Sequence, residues 1–329
     1  MLPRRIVRTG LALLAGCSLA ACSTGAASSA PSLSSASPSA LQLDNCGTHV
    51  TIGTPPTRVV TIKSSTTEML LSLGLADRMV GTAFADGPLP ADLATAGAKV
   101  PVLSDQVPGQ ESLLAVQPDF VYGGWESNFS ADGAGDRAAL AKLAIGTYVS
   151  PAACKEPRSM PDPLTFDTLF AEIREVGTIF GVPAAAQTVV AHEQATLAAV
   201  HKPTGTTTAL WYSSGSDSPY VGAGIGAPQM IMNAAGLTNV FASVHDTWTS
   251  VGWEDVVAAN PDVIVLVDAS WNTAAHKVSQ LEANPATASL HAVRQHRYLT
   301  VPFAASEAGV RNADAVASLV DQLRTLGAP

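Results

Sequence analysis

Two stretches of this chain are versions of one pattern, and that repeat limits the folds open to it more than any other feature. "ESLLAVQPDFVYGGW" (Glu111–Trp125) and "EDVVAANPDVIVLVDASW" (Glu254–Trp271) each run from a glutamate through an apolar helical turn to Pro-Asp, a buried strand and a tryptophan. The glutamate precedes the proline by seven residues in both copies. A helix-then-strand unit used twice predicts two pseudo-symmetric α/β lobes, each with one glutamate at the same place. The tryptophans fall at the carboxyl ends of the strands, where open α/β sheets hold ligands. Pro-Asp before a strand is common, so the spacing carries the argument rather than the dipeptide.

The rest of the chain agrees with two lobes. Short apolar runs predict strands at Val59–Ile62, Arg78–Thr82, Phe120–Tyr122 and Thr147–Val149, with helices at Thr66–Leu73, Gln110–Val116 and Asp136–Leu143. A second series places strands at Ala209–Tyr212, Val263–Val267 and Tyr298–Val301. Its helices are expected at Pro228–Ala235, Trp253–Ala259, Thr273–Ala283 and Ala313–Leu326. Thr165–Lys202 between the series is helical in pattern, with a break at Gly181-Val182 and Pro183 at a helix-starting position. A helix from Pro183 to Val200 would be about 27 Å long and would restrict the lobes more than a flexible linker. The fold expected is α/β: two Rossmann-like lobes with mostly parallel sheets, joined by one long helix, with a ligand cleft between them.

The amino terminus sets the compartment. Arg4, Arg5 and Arg8 precede an apolar run that is too short to span a membrane, so residues 1–21 are read as a signal peptide. "LAAC" (Leu19–Cys22) ends it with a bacterial lipobox pattern, which makes Cys22 the lipidated residue. "LAGC" (Leu14–Cys17) also fits, but leaves an apolar region of barely six residues. Residues 22–45 then form the lipidated cysteine and a tether rich in Ser, Ala and Pro, too poor in apolar surface to fold alone. The expected divisions beyond it are an N-terminal lobe over 46–164, a helical connector over 165–204 and a C-terminal lobe over 205–329. Cys46 and Cys154 are left in an oxidising setting, where a disulfide is the default. In the chain-entropy description such a long loop closure is worth about 4 to 5 kcal/mol.

Charge and motifs exclude several functions. The formal charge is −9, and the leader before Cys22 holds three arginines and no acid, so the mature chain is more acidic still and a poor nucleic-acid binder. No G-x-S-x-G elbow, H-E-x-x-H or C-x-x-C is present, and the seven histidines are scattered, so no catalytic triad, metal site or cofactor is expected. Gly222, Gly224 and Ala227 imitate a dinucleotide fingerprint without the full strand it needs; Pro228 is the better sign of a helix start. Glu126 and Glu307 are candidate acid and base groups for an exported enzyme, but no nucleophile accompanies them.

"RVVTIKSSTTEMLLSLGL" (Arg58–Leu75) places Lys63 and four consecutive hydroxyl residues, Ser64 to Thr67, at a strand-to-helix turn. Ser65 and Glu68 fit an S-x-x-E capping box and Gly74 a helix stop. Lys63 and the remaining hydroxyls, at a helix N-terminus, are read as a cradle for an anion. Trp125, within the polar loop "GGWESNFSADG", is placed to stack on a planar ligand.

Read together, these segments resemble the cobalamin and iron-siderophore type of substrate-binding proteins of ABC importers. "PPTRVVTIKSSTTEMLLSLGLADRMVGT", "LLAVQPDFVY", "VVAANPDVIVLVD" and "HAVRQHRYLTV" carry the resemblance, which covers Thr57 to Leu326. It implies a monomeric, extracytoplasmic lipoprotein that is not an enzyme. It would hand its ligand to permease subunits powered by a cytoplasmic ATPase. It also implies that Glu111 and Glu254 dock on permease arginines; the alternative is ordinary helix-start glutamates favoured by the helix dipole. "TIKSSTTE", "SPAACKEP", "WYSSGSDSPYVGAGIGAPQM" and "PFAASEAGVR" resemble a subgroup proposed to import a precursor of the deazaflavin coenzyme F-420. Such a ligand has a planar ring, a polyol and a phosphodiester with a carboxylate. The resemblance assigns Lys63 and Arg311 to the anionic end, Ser64, Ser65, Thr66 and Thr67 to hydrogen bonds, and Trp125 to the ring. The other candidate cleft residues are Tyr122, Glu126 and Asn128 in the first lobe, and Tyr212, Ser213, Ser214 and Tyr220 in the second. Trp248, Trp271 and Glu307 complete the second lobe's set. Ferric siderophores and cobalamin are the alternative ligands.

Overall fold

The computed structural model describes residues 40–327. The signal peptide, Cys17, Cys22 and the tether up to Ser39 lie outside the described residues. Leu41–Asn45 were expected to end the tether; they instead form strand β1, paired antiparallel with β2 (Thr48–Ile52). Alternation is clear only for the inner face of this hairpin, where Val50 and Ile52 are buried. Cys46 at its turn is joined to Cys154 by a disulfide. Asn45 adds a paired contact, donating from Nδ2 to the Val149 carbonyl (2.8 Å) and accepting the Val149 N–H at Oδ1 (2.8 Å).

The first lobe is a parallel sheet of β3 (Val59–Ile62), β4 (Met79–Ala83), β5 (Val102–Ser104), β6 (Phe120–Gly123) and β7 (Gly146–Val149), in the order β5-β4-β3-β6-β7. Every residue of β3 and β6 is buried, as a parallel strand covered on both faces requires. The second lobe is built on β8 (Thr207–Ser214), β9 (Tyr220–Gly222), β10 (Leu237–Asn239), β11 (Trp248–Ser250), β12 (Val263–Asp268) and β13 (Tyr298–Pro302). Its order is β11-β9-β8-β12-β13, with β10 also paired to β8; β9 pairs antiparallel with both β8 and β11.

The repeat now has a physical basis. β6 lies between β3 and β7, and β12 lies between β8 and β13, so the two copies hold equivalent places. In each, the aspartate of Pro-Asp fastens the start of the neighbouring strand. Asp119 accepts the Thr57 N–H and hydroxyl and the Arg58 N–H (2.9, 2.8 and 3.0 Å). Asp262 accepts the Thr208 N–H and hydroxyl (2.8 and 2.7 Å).

Two helices connect the lobes, Phe166–Ile179 and Pro183–Ala199. Thr165 caps the first by accepting the Thr168 N–H (3.2 Å), and Pro183 opens the second. Gly181 between them is left-handed (φ 68°). The helices pack so closely that a Cβ on Gly177 would lie 2.4 Å from that of Ala186. Tyr122 of β6 donates its hydroxyl to Glu172 (3.1 Å), tying the first sheet to the connector. Among the described residues, no helix is long and apolar enough to cross a membrane.

Burial shifts two connector acids. Burial pushes the Glu172 carboxyl up to about 7, despite the hydrogen bond from Tyr122. Burial, with Asp314 nearby, pushes Glu193 up to about 8. A carboxyl raised in the folded state binds a proton that the unfolded chain has already lost. Its contribution is therefore complete below the ordinary carboxylate value and is lost as pH rises towards 8. Glu193→Gln should remove part of this loss, making the variant more stable than the parent at pH 8 by on the order of 1 kcal/mol or more, and not at pH 4. Urea unfolding at the two pH values checks it; an equal difference at both would remove Glu193 from the account.

Candidate functional site

At the carboxyl ends of both sheets lies a cavity of about 440 Å³, within the range of small-molecule sites. The first lobe supplies Ser65 after β3, Trp125 and Glu126 after β6, and Ser150 and Lys155 after β7. The second supplies Ser213 and Ser214 at the end of β8, Trp271 after β12, and Phe303 and Glu307 after β13. Tyr220 and Trp248 of the antiparallel edge complete it, stacked with ring centroids 5.9 Å apart and 15° between planes. Trp271 is 62% exposed, and its ring meets Phe303 edge to face.

Trp125 is fixed from three sides. Asn128 Oδ1 accepts its backbone N–H (2.9 Å), and its indole Nε1 donates to Glu307 Oε2 (3.1 Å), a residue of the other lobe. The Lys63 ammonium lies 3.8 Å from the centre of its ring, a cation–π contact away from water. Gly124 makes the approach feasible, since a Cβ there would stand 2.8 Å from that of Lys63. Burial pushes the Glu307 carboxyl up, while Lys63 and the Trp125 N–H pull it down.

The anion cradle is real, but the protein fills it. The helix starts at Ser64, two residues earlier than expected, with Lys63 as N-cap at φ 92°. Asp86 takes the place of an external anion: it accepts the Ser64 N–H (3.1 Å) and pairs with the Lys63 ammonium, while its own N–H donates to Ser64 Oγ (2.8 Å). No Ser65–Glu68 capping box forms. Glu68, only 1% exposed, instead holds the Arg311 guanidinium in a bidentate pair across the lobes. Thr66 and Thr67 donate their hydroxyls to the Ile62 and Lys63 carbonyls (3.0 Å each).

Lys63, Ser64, Thr66, Thr67 and Arg311 therefore do not line the cavity, and the anionic-end assignment to Lys63 and Arg311 is corrected. Nor do three other candidates. Tyr122 is buried on Glu172, Asn128 supports Trp125, and Tyr212 donates to the Gly215 carbonyl with its ring against Trp253. Ser65, Trp125, Glu126, Ser213, Ser214, Tyr220, Trp248, Trp271 and Glu307 are brought together. Sequence reasoning missed Ser150, Lys155 and Thr247, which lie in loops, and Ser127 and Phe303, which lie in helices of three and four residues, too short for a period to show. Lys155 spans the lobes, donating to Asp246 (3.1 Å) and Thr247 (2.8 Å), while its backbone N–H donates to Glu126 (2.6 Å).

Glu111 and Glu254 are each exposed in the first turn of a helix, Gln110–Ala115 and Trp253–Ala259. Among the described residues, no group of three or more His, Cys, Asp or Glu is placed to hold a metal ion.

A family model described as periplasmic binding protein matches residues 59–305. A periplasmic binding protein from Veillonella parvula is 29% identical, with a TM-score of 0.78, covering 87% of this chain and 98% of its own. An ABC-type Fe3+-hydroxamate transport system structure from Saccharomonospora viridis is 26% identical, with a TM-score of 0.74 and coverages of 86% and 98%. The periplasmic heme-binding protein RhuT from Roseiflexus shares the fold at 22% identity and a TM-score of 0.63, covering 82% of this chain and 98% of its own. No curated protein matches the chain by sequence. With a match over most of its length and two lobes meeting at one cavity, the chain belongs to the periplasmic binding protein family.

Proposed function

We propose that this protein is the extracytoplasmic solute-binding component of an ABC importer, anchored through Cys22, and that its ligand is a small planar molecule with a hydroxylated chain. The observation that carries this reading is the cavity itself: aromatic faces from both lobes, interleaved with serine and threonine hydroxyls, at the carboxyl ends of two sheets. A precursor of the deazaflavin coenzyme F-420 fits that lining. Its ring suits Trp125, Tyr220, Trp248 and Trp271, and its polyol suits Ser65, Ser213, Ser214 and Thr247. Among the described contacts the two cavity carboxylates are held by N–H donors, Glu126 by a backbone N–H and Glu307 by an indole N–H.

A second reading, a ferric hydroxamate, is favoured by the 26% identity to the Saccharomonospora viridis structure. Thermal shift with a deazaflavin precursor, a ferric trihydroxamate and cobalamin separates the two. A ligand at 100 times its Kd adds about 2.7 kcal/mol. No shift with any of them would remove these substrates. Trp125→Ala should weaken binding of the active ligand by roughly 10- to 100-fold in titration, since stacking on a fixed aromatic face is lost. An unchanged Kd would take Trp125 out of the site.

A further inference from the structure

The charged groups that face the cavity are few enough to follow one by one. Among its lining residues, the acidic and basic side chains are Glu126, Lys155 and Glu307. The Lys155 ammonium is already shared with Asp246 and open to solvent. Lys63, behind Trp125, is held by Asp86, and Arg311 by Glu68. Each nearby cation thus has a carboxylate from the protein.

The two cavity carboxylates are in the opposite position. A carboxylate accepts about four hydrogen bonds. Among the described contacts Glu126 receives one N–H, from the Lys155 backbone, and Glu307 one, from the Trp125 indole. Both retain acceptor capacity where the walls are aromatic and water is displaced by a ligand. Burial raises the Glu307 carboxyl, the mark of an acceptor short of solvation. An anion brought beside two carboxylates in such a setting is repelled and loses its own hydration. A ring N–H or a chain hydroxyl instead restores what the carboxylates lack.

We propose that the cavity selects ligands without net negative charge, with Glu307 as the specificity-determining residue that accepts hydrogen bonds from the ligand's donors. For a deazaflavin this means the ring with its polyol, rather than the form extended by the phosphodiester and carboxylate. The inference rests on the cavity being the ligand site, but not on which ligand class occupies it.

The test is calorimetric titration of the purified protein with the uncharged ring–polyol deazaflavin and with its phosphodiester form. The uncharged compound is expected to bind at least about tenfold more tightly. Glu307→Gln should weaken it by a similar factor while leaving the anionic form unchanged or tighter, so that the ratio between them narrows. Glu126→Gln, read in the same way, covers a failure of the first variant to fold. Tighter binding of the anionic form, or a ratio unmoved by both variants, overturns the proposal. If neither deazaflavin binds, the ligand reading above fails and the charge rule is read on iron complexes. An ammonium-bearing ferric trihydroxamate should then bind more tightly than an anionic ferric tris-catecholate, and the reverse order would sink it.

Discussion

Replacing Glu111 and Glu254 together by alanine is expected to reduce uptake to background while leaving ligand affinity unchanged within about twofold, the scatter of exposed positions. Both acids are exposed, each in the first turn of a helix that leads into an equivalent strand of its lobe. Neither lines the cavity. Truncating one partner of a buried interfacial charge pair costs roughly 2 to 5 kcal/mol, so losing two such pairs would weaken docking by a factor of at least about a thousand. Each single variant should fall between parent and double variant. Transport in cells or vesicles, measured beside titration of the purified protein, provides the check. Parallel loss of affinity would place these residues in the cleft, and normal uptake would leave them as ordinary helix-start glutamates.

Arg311→Ala should strongly destabilise the fold. It leaves Glu68, 1% exposed, without the bidentate partner that crosses from one lobe to the other. Removing one side of a buried pair costs about 3 to 5 kcal/mol, most of it the penalty of the stranded charge. Burial already raises the Glu68 carboxyl, and Arg311 is what pulls it down. Without Arg311 the folded carboxyl rises further. The deficit should therefore be small below the ordinary carboxylate range and grow as pH increases, because the unfolded chain ionises freely. The double variant Glu68→Leu with Arg311→Leu should recover much of the loss, since no bare charge remains. Denaturant unfolding of the three variants against pH decides the matter; a double variant as unstable as the single would show that packing dominates.

The sequence made the lobes legible because their signals are local. Val59–Ile62, Phe120–Gly123 and Val263–Asp268 are continuous apolar strands, and Pro183 and Gly181 mark the break in the connector. The hairpin of Leu41–Ile52 and the three-residue strands Tyr220–Gly222 and Trp248–Ser250 are too short for a period to emerge. The site was legible in part. Tryptophans at the strand ends of the repeat pointed to it, and Trp125 and Trp271 do line the cavity. The cations misled, because their partners are set by tertiary structure. Asp86 lies 23 residues from Lys63, and Glu68 lies 243 residues from Arg311. A lysine beside four hydroxyls shows demand for an anion, but not whether the fold has already met it.

The helical connector has one further consequence. With Gly177 packed against Ala186, the two connector helices form one closely packed unit between the lobes. If that unit resists bending, the span between Glu111 and Glu254 changes little between empty and loaded protein. A permease gripping both acids would be measuring with a nearly rigid ruler. Discrimination in favour of the loaded form would have to come from how long each complex persists, not from whether it forms.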